Sequence, residues 1–162
     1  MAKELTKEEL DERVAILKRF RKLLEQQRTK FQEYLAVLES QQGKIEDVDA
    51  AAIVAHAELE NQIVKNLASL QKVIVPMQGM YKAIVPGVPA SDSADIRRLQ
   101  SDLADLQKQV LEQNKHNRNL LKSQMGKIKT QLNNLNRRNP YRGRNSVYAE
   151  KAAVGNVIEF NA

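Results

Sequence analysis

Residues 6–43 read TKEELDERVAILKRFRKLLEQQRTKFQEYLAVLESQQG, and this stretch decides the fold. Leu10, Val14, Leu17, Arg21, Leu24, Arg28, Phe31, Leu35 and Leu38 follow one another in alternating steps of four and three. Beside them runs a second row of Ile16, Phe20, Leu23, Tyr34 and Val37. Steps of four and three return to the same side of an α-helix, so the stretch predicts a helix, and two adjacent apolar rows predict more than one helical neighbour. The start is marked by Thr6 and Glu9, a capping box in which the hydroxyl accepts from the amide three residues on and the carboxylate reaches back. The stop is expected at Gln41 or Gln42, with Gly43 in the left-handed conformation that ends a helix. About 36 residues at ~1.5 Å each give a rod of roughly 54 Å.

Outward from this rod, the chain predicts two more. A second helix over about 48–85 is capped by Asp47 or Asp49 ahead of Ala50-Ala51-Ala52, which combine a polar cap with strong helix formers. Its seam reads Ala52, His56, Leu59, Ile63, Asn66, Leu70, Val73, Met77, Met80 and Ile84, widened by Leu67 and Ile74. Pro76 lacks an amide donor, so a kink or short break is expected there. Pro86-Gly87-Val88-Pro89 forms the connection to a third helix over about 92–138, capped by Ser91, Asp92 or Ser93. Its seam begins Ile96, Leu99, Leu103, Leu106 and Val110, crosses the polar run 113–119 and resumes out of phase as Leu121, Met125, Ile128, Leu132 and Leu135. Asn139-Pro140 ends it, because proline disfavours helical geometry in the residue before it. Residues 139–162 have no sustained period and read as a flexible tail. The expected architecture is all-α: an elongated antiparallel bundle or coiled coil of three long helices over residues 1–138, then the tail.

Composition narrows the function. The 162 residues include seven aromatics, ten Gly plus Pro and no Cys, which excludes disulfides, thiolate metal sites and a cysteine nucleophile. His56 and His116 are far apart with no metal-ligand cluster around either, and no phosphate loop or nucleophile motif occurs. The chain therefore reads as not an enzyme and as needing neither cofactor nor metal. Met1-Ala2-Lys3-Glu4-Leu5 lacks a signal peptide's apolar stretch, and no uncharged apolar run approaches the roughly 18 residues of a membrane span. A cytoplasmic protein without membrane insertion is expected.

Charge is uneven along the chain. The net charge is +6, but between Gln113 and Ala149 there is no acid while Lys115, Arg118, Lys122, Lys127, Lys129, Arg137, Arg138, Arg142 and Arg144 supply nine cations. A basic coiled coil binding nucleic acid is one alternative, with salt-dependent affinity. It is the weaker reading, because the cations follow no single helix face and the basic run carries no stacking aromatic before Tyr141. A structural coiled-coil adaptor, homodimeric through the first helix, is another alternative. Met77, Met80 and Tyr81 beside Pro76 read more simply as the closure of the bundle tip than as a pliable docking surface. The tail carries two tyrosines and a closing apolar run of Val154, Val157, Ile158 and Phe160, a pattern suited to folding against a partner's groove.

Long amphipathic helices rich in Leu, Gln and Asn, followed by Asn145-Ser146-Val147-Tyr148-Ala149-Glu150-Lys151 and a terminal Val157-Ile158-Glu159-Phe160-Asn161-Ala162, resemble the FlgN-type flagellar export chaperones. The resemblance spans most of the chain and is motif-like only in the tail. It implies a cytoplasmic chaperone that holds hook-filament junction proteins by their amphipathic C-terminal helix and delivers them to the flagellar export gate. Carried onto this chain, Leu121, Met125, Ile128, Leu132 and Leu135 become the client-facing stripe. Tyr148 becomes the tyrosine that docks on the export gate, with Tyr141 in Asn139-Pro140-Tyr141-Arg142-Gly143 as the second choice.

Overall fold

The computed structural model describes residues 5–138, so the tail and its tyrosines, Tyr141 and Tyr148, lie outside the described residues. Three helices make up the described chain: α1 (Lys7–Glu46), α2 (Ala50–Ile84) and α3 (Ala90–Arg138), with a 3-10 turn at Val85–Gly87 between the last two. The capping box forms as expected, with the Glu9 amide donating to Thr6 Oγ1 at 3.2 Å and the Thr6 amide donating to Glu9 Oε2 at 3.1 Å. No strand occurs among the described residues, and the all-α three-helix architecture is confirmed.

Side-chain partners fix the directions of the helices. From α1 to α3 the pairs Arg21–Asp95, Arg28–Asp102 and Tyr34–Asn114 ascend together, so these helices are parallel. From α1 to α2 the pairs Phe20–Tyr81, Gln27–Gln71 and Tyr34–Glu60 run in opposite senses, so α2 is antiparallel to both. Helix α1 packs along both neighbours, whereas α2 and α3 meet each other sparsely. The double apolar row of α1 thus serves two partners.

Three element details differ from the sequence expectation. Helix α1 does not stop at Gly43 but continues to Glu46. Reversal occurs three residues later, where the Val48 and Asp49 amides donate to the carbonyls of Ile45 and Lys44 at 3.1 and 2.9 Å. This is the Schellman pattern, and the residue in the left-handed position is Val48, with φ 54°. Val48 holds it while packing, half-buried, against the distal cluster of Ile45, Ala50, Ile53, Ile128 and Leu132. Of the kink or short break expected at Pro76, the break does not occur, and α2 is continuous to Ile84. Pro76 is exposed, so the missing amide costs a bond on the water side, while Ile74, Met77 and Tyr81 hold the buried side to α1. Helix α3 starts at Ala90 rather than Asp92, with the Asp92 and Ser93 amides donating to the Pro89 carbonyl.

The interior is in two parts. The larger runs from Phe20, Tyr81 and Ile96 up to Leu38 and Val110. The smaller, at the α1–α2 turn, consists of Ile45, Ala50, Ile53, Ile128 and Leu132. Between them lies a belt of polar side chains.

Candidate functional site

The belt begins with a residue that the apolar seam of α2 conceals. The buried column of α2 is Ile53, Glu60, Leu67, Ile74 and Tyr81, spaced by sevens, with an acid among the apolar residues. Leu59, Val73 and Met80, assigned to the seam by sequence, are instead 49, 44 and 49% exposed. Glu60 is 1% exposed, and its Oε1 accepts from the Tyr34 hydroxyl at 2.7 Å and from Asn114 Nδ2 at 3.4 Å. Asn114 Nδ2 also donates to the Tyr34 oxygen at 3.3 Å. Glu60 Oε2 is buried without a hydrogen-bond partner.

Burial is the main force on Glu60, since a carboxylate loses its hydration there. It pushes the carboxyl up to about 7, although the Tyr34 hydrogen bond and the Arg118 charge act the other way. Burial, together with the neighbouring Glu60 carboxylate, also raises Tyr34 well above the ordinary phenol range. Tyr34 therefore remains a hydroxyl donor throughout the physiological range.

One turn further along α3 the belt continues. Asn117 Nδ2 donates to the Leu38 carbonyl at 2.7 Å and to Gln41 Oε1 at 3.2 Å, and Gln113 Nε2 donates to Gln42 Oε1 and Asn117 Oδ1 at 2.7 and 2.9 Å. The polar run 113–119, where the apolar rhythm breaks, is thus partly interior, with Asn114 and Asn117 replacing apolar residues in the packed row. His56 is half-buried at the same level. Its Nδ1 lies 2.7 Å from the Ala52 carbonyl and its Nε2 3.2 Å from Ser40 Oγ, so the Nδ1 proton is donated to the carbonyl.

Beyond the belt, the stripe assigned to a client is divided. Ile128 and Leu132 are buried against Ile45, Ala50 and Ile53, Leu121 and Leu135 are half-buried beside them, and Met125 is 49% exposed. The phase shift in α3 points to a stripe without a permanent partner inside the chain, and the structure corrects this: the α1–α2 turn supplies one. A Gln131 side chain fastens the same junction, accepting from the Ala50 amide at 3.1 Å. Lys122, Lys127, Lys129, Arg137 and Arg138 stand exposed around this end. Among the described residues no group of three or more His, Asp or Glu side chains is placed to hold a metal. No described helix is long and apolar enough to cross a membrane.

The geometry defines a helical bundle whose distal end is set apart by a polar belt. Comparison then places the chain among its relatives. It is 39% identical over 125 residues to an uncharacterized protein of Treponema pallidum (strain Nichols), covering 77% of this chain and 78% of the relative, and it belongs to the same family. No family model and no solved structure matches it.

Proposed function

We propose that the protein is a cytoplasmic, non-enzymatic flagellar export chaperone that binds the amphipathic C-terminal helix of hook-filament junction proteins and delivers them to the export gate. The FlgN-like order of long helices and tyrosine-bearing tail supports this reading, with Tyr148, or Tyr141, docking the complex on the gate. The structural observation that carries it is the separation of the distal core from the main core by the Tyr34–Glu60–Asn114 and Gln41–Asn117 belt. A small apolar cluster beyond a polar layer opens more cheaply than the rest of a bundle. Opening there exposes Ile128 and Leu132 next to Leu121, Met125 and Leu135, a stripe one helix long. A client helix that replaces Ile45 and Ile53 as their partner buries the same side chains again, at roughly 1.5 to 3 kcal/mol per fully buried chain before ordering costs.

The test is calorimetric titration of the full chain with a peptide spanning the C-terminal helix of a junction protein. Binding should survive moderate salt and fall at least about tenfold in Met125→Asp, whose exposed site leaves folding intact. Binding indifferent to Met125→Asp and to paired Ile128→Asp and Leu132→Asp replacements defeats the proposal. Binding of an oligonucleotide instead, lost on reversing Lys127, Lys129, Arg137 and Arg138 and falling steeply with salt, establishes the nucleic-acid alternative.

A further inference from the structure

The outer face of α2 is built unlike the rest of the surface. This helix carries five charged residues in 35, one of them the buried Glu60, against seventeen in 40 on α1. Leu59, Asn66, Val73 and Met80 recur every seven residues along its water side, and the three apolar ones are nearly half exposed. A row of that spacing, apolar apart from one asparagine, is the pattern of a helix-pairing seam. Between this row and α1 lies an open trough of about 730 Å³, whose α2 wall is Asn66, Ser69, Leu70 and Val73.

The α1 wall of the trough names the occupant. It carries Lys22, Glu25, Lys30 and Glu33, spaced symmetrically about a midpoint between Gln27 and Arg28 with the sign of charge reversed across that midpoint. A surface whose charges invert about its own centre is complementary to itself when turned by a two-fold rotation. Two such faces laid antiparallel bring Lys22 of each copy over Glu33 of the other, while Glu25 and Lys30 reverse in the same sense. Lys65 and Lys72 stay at the rim of α2 in water.

We propose that the α1–α2 trough is a self-association surface on which a second copy of this chain docks antiparallel, with Leu59, Val73 and Met80 as its apolar seam. This surface is remote from the distal stripe assigned to a client, so either proposal stands or falls without the other. Sedimentation equilibrium of the full chain over a wide concentration range should show mass rising from 18.4 kDa toward twice that value. Val73→Glu should hold the chain monomeric, and Lys22→Glu should weaken association about tenfold by setting like charges opposite each other. The double replacement Lys22→Glu with Glu33→Lys restores opposite signs across the axis and should recover association to within about twofold of the native chain, a rescue that a folding defect cannot produce. A single monomer mass at every concentration overturns the proposal, and so does a dimer unmoved by both Val73→Glu and Lys22→Glu.

Discussion

Glu60 shows how one buried side chain shapes the behaviour of the whole protein. Its carboxyl is raised from 4.5 to about 7 in the folded chain, chiefly by burial. Between these values the folded protein holds a proton that the unfolded chain releases, so the stability contributed by Glu60 is greatest below about 4.5 and is lost as pH rises toward about 7. The loss across that window is of the order of 3 kcal/mol, from ~1.4 kcal/mol per pH unit of displacement. Urea denaturation at closely spaced pH values should show this decline, and Glu60→Gln should flatten it. The amide keeps an oxygen for the Tyr34 hydroxyl and cannot ionise. An unchanged slope in the variant assigns the pH dependence to another group.

At the scale of the helices, the glycines carry a separate prediction. Gly43, Gly79 and Gly126 all lie inside helices, and a methyl group added at each meets nothing within 4 Å. Alanine restricts the unfolded chain more than glycine and has the higher helix propensity, so Gly43→Ala and Gly126→Ala should each stabilise by about 0.5–1 kcal/mol. Thermal melts of the single and double variants check this, with near-additive gains expected because the methyl added at either site touches nothing. Gly43 also shows what sequence could and could not supply. The Thr6–Glu9 cap was legible because every participating atom lies within four residues. The end of α1 was not, since Val48 takes the left-handed position within a cluster that includes Ile128 and Leu132, some eighty residues away in sequence. Likewise the four-three rhythm identified α2 as a helix and caught Ile63, Leu67, Ile74 and Met77 of its buried face, but it also took in residues on the water side. Glu60 interrupts the true buried column, and Leu59, Val73 and Met80 on the water side imitate one. Of the distal stripe, residue identities were legible and burial was not, because its partners come from the turn between the other two helices.

Over the whole molecule, the polar belt sets a balance between stability and division of the bundle. Tyr34, Glu60 and Asn114 satisfy one another, apart from Glu60 Oε2, but they interrupt apolar packing between the core at Val110 and the core at Ile128. Replacing a buried polar cluster with apolar groups of similar volume is neutral or stabilising by about 1–4 kcal/mol in comparable cases, whereas removing one member alone strands the others. The triple variant Tyr34→Phe, Glu60→Leu, Asn114→Leu should therefore be at least as stable as the native chain, and Asn114→Leu alone should be less stable. The consequence for cooperativity is the sharper prediction. In the native chain, amide exchange over residues 121–138 should proceed through openings that leave residues 96–110 protected, because the belt separates the two cores. A continuous apolar interior in the triple variant joins them, so exchange at the two ends of α3 should converge on one opening free energy. Its distal stripe should then yield less readily to a client helix, and weaker peptide binding by a more stable protein would tie the belt to the proposed function. Equal or tighter binding would show that the distal core need not open at all.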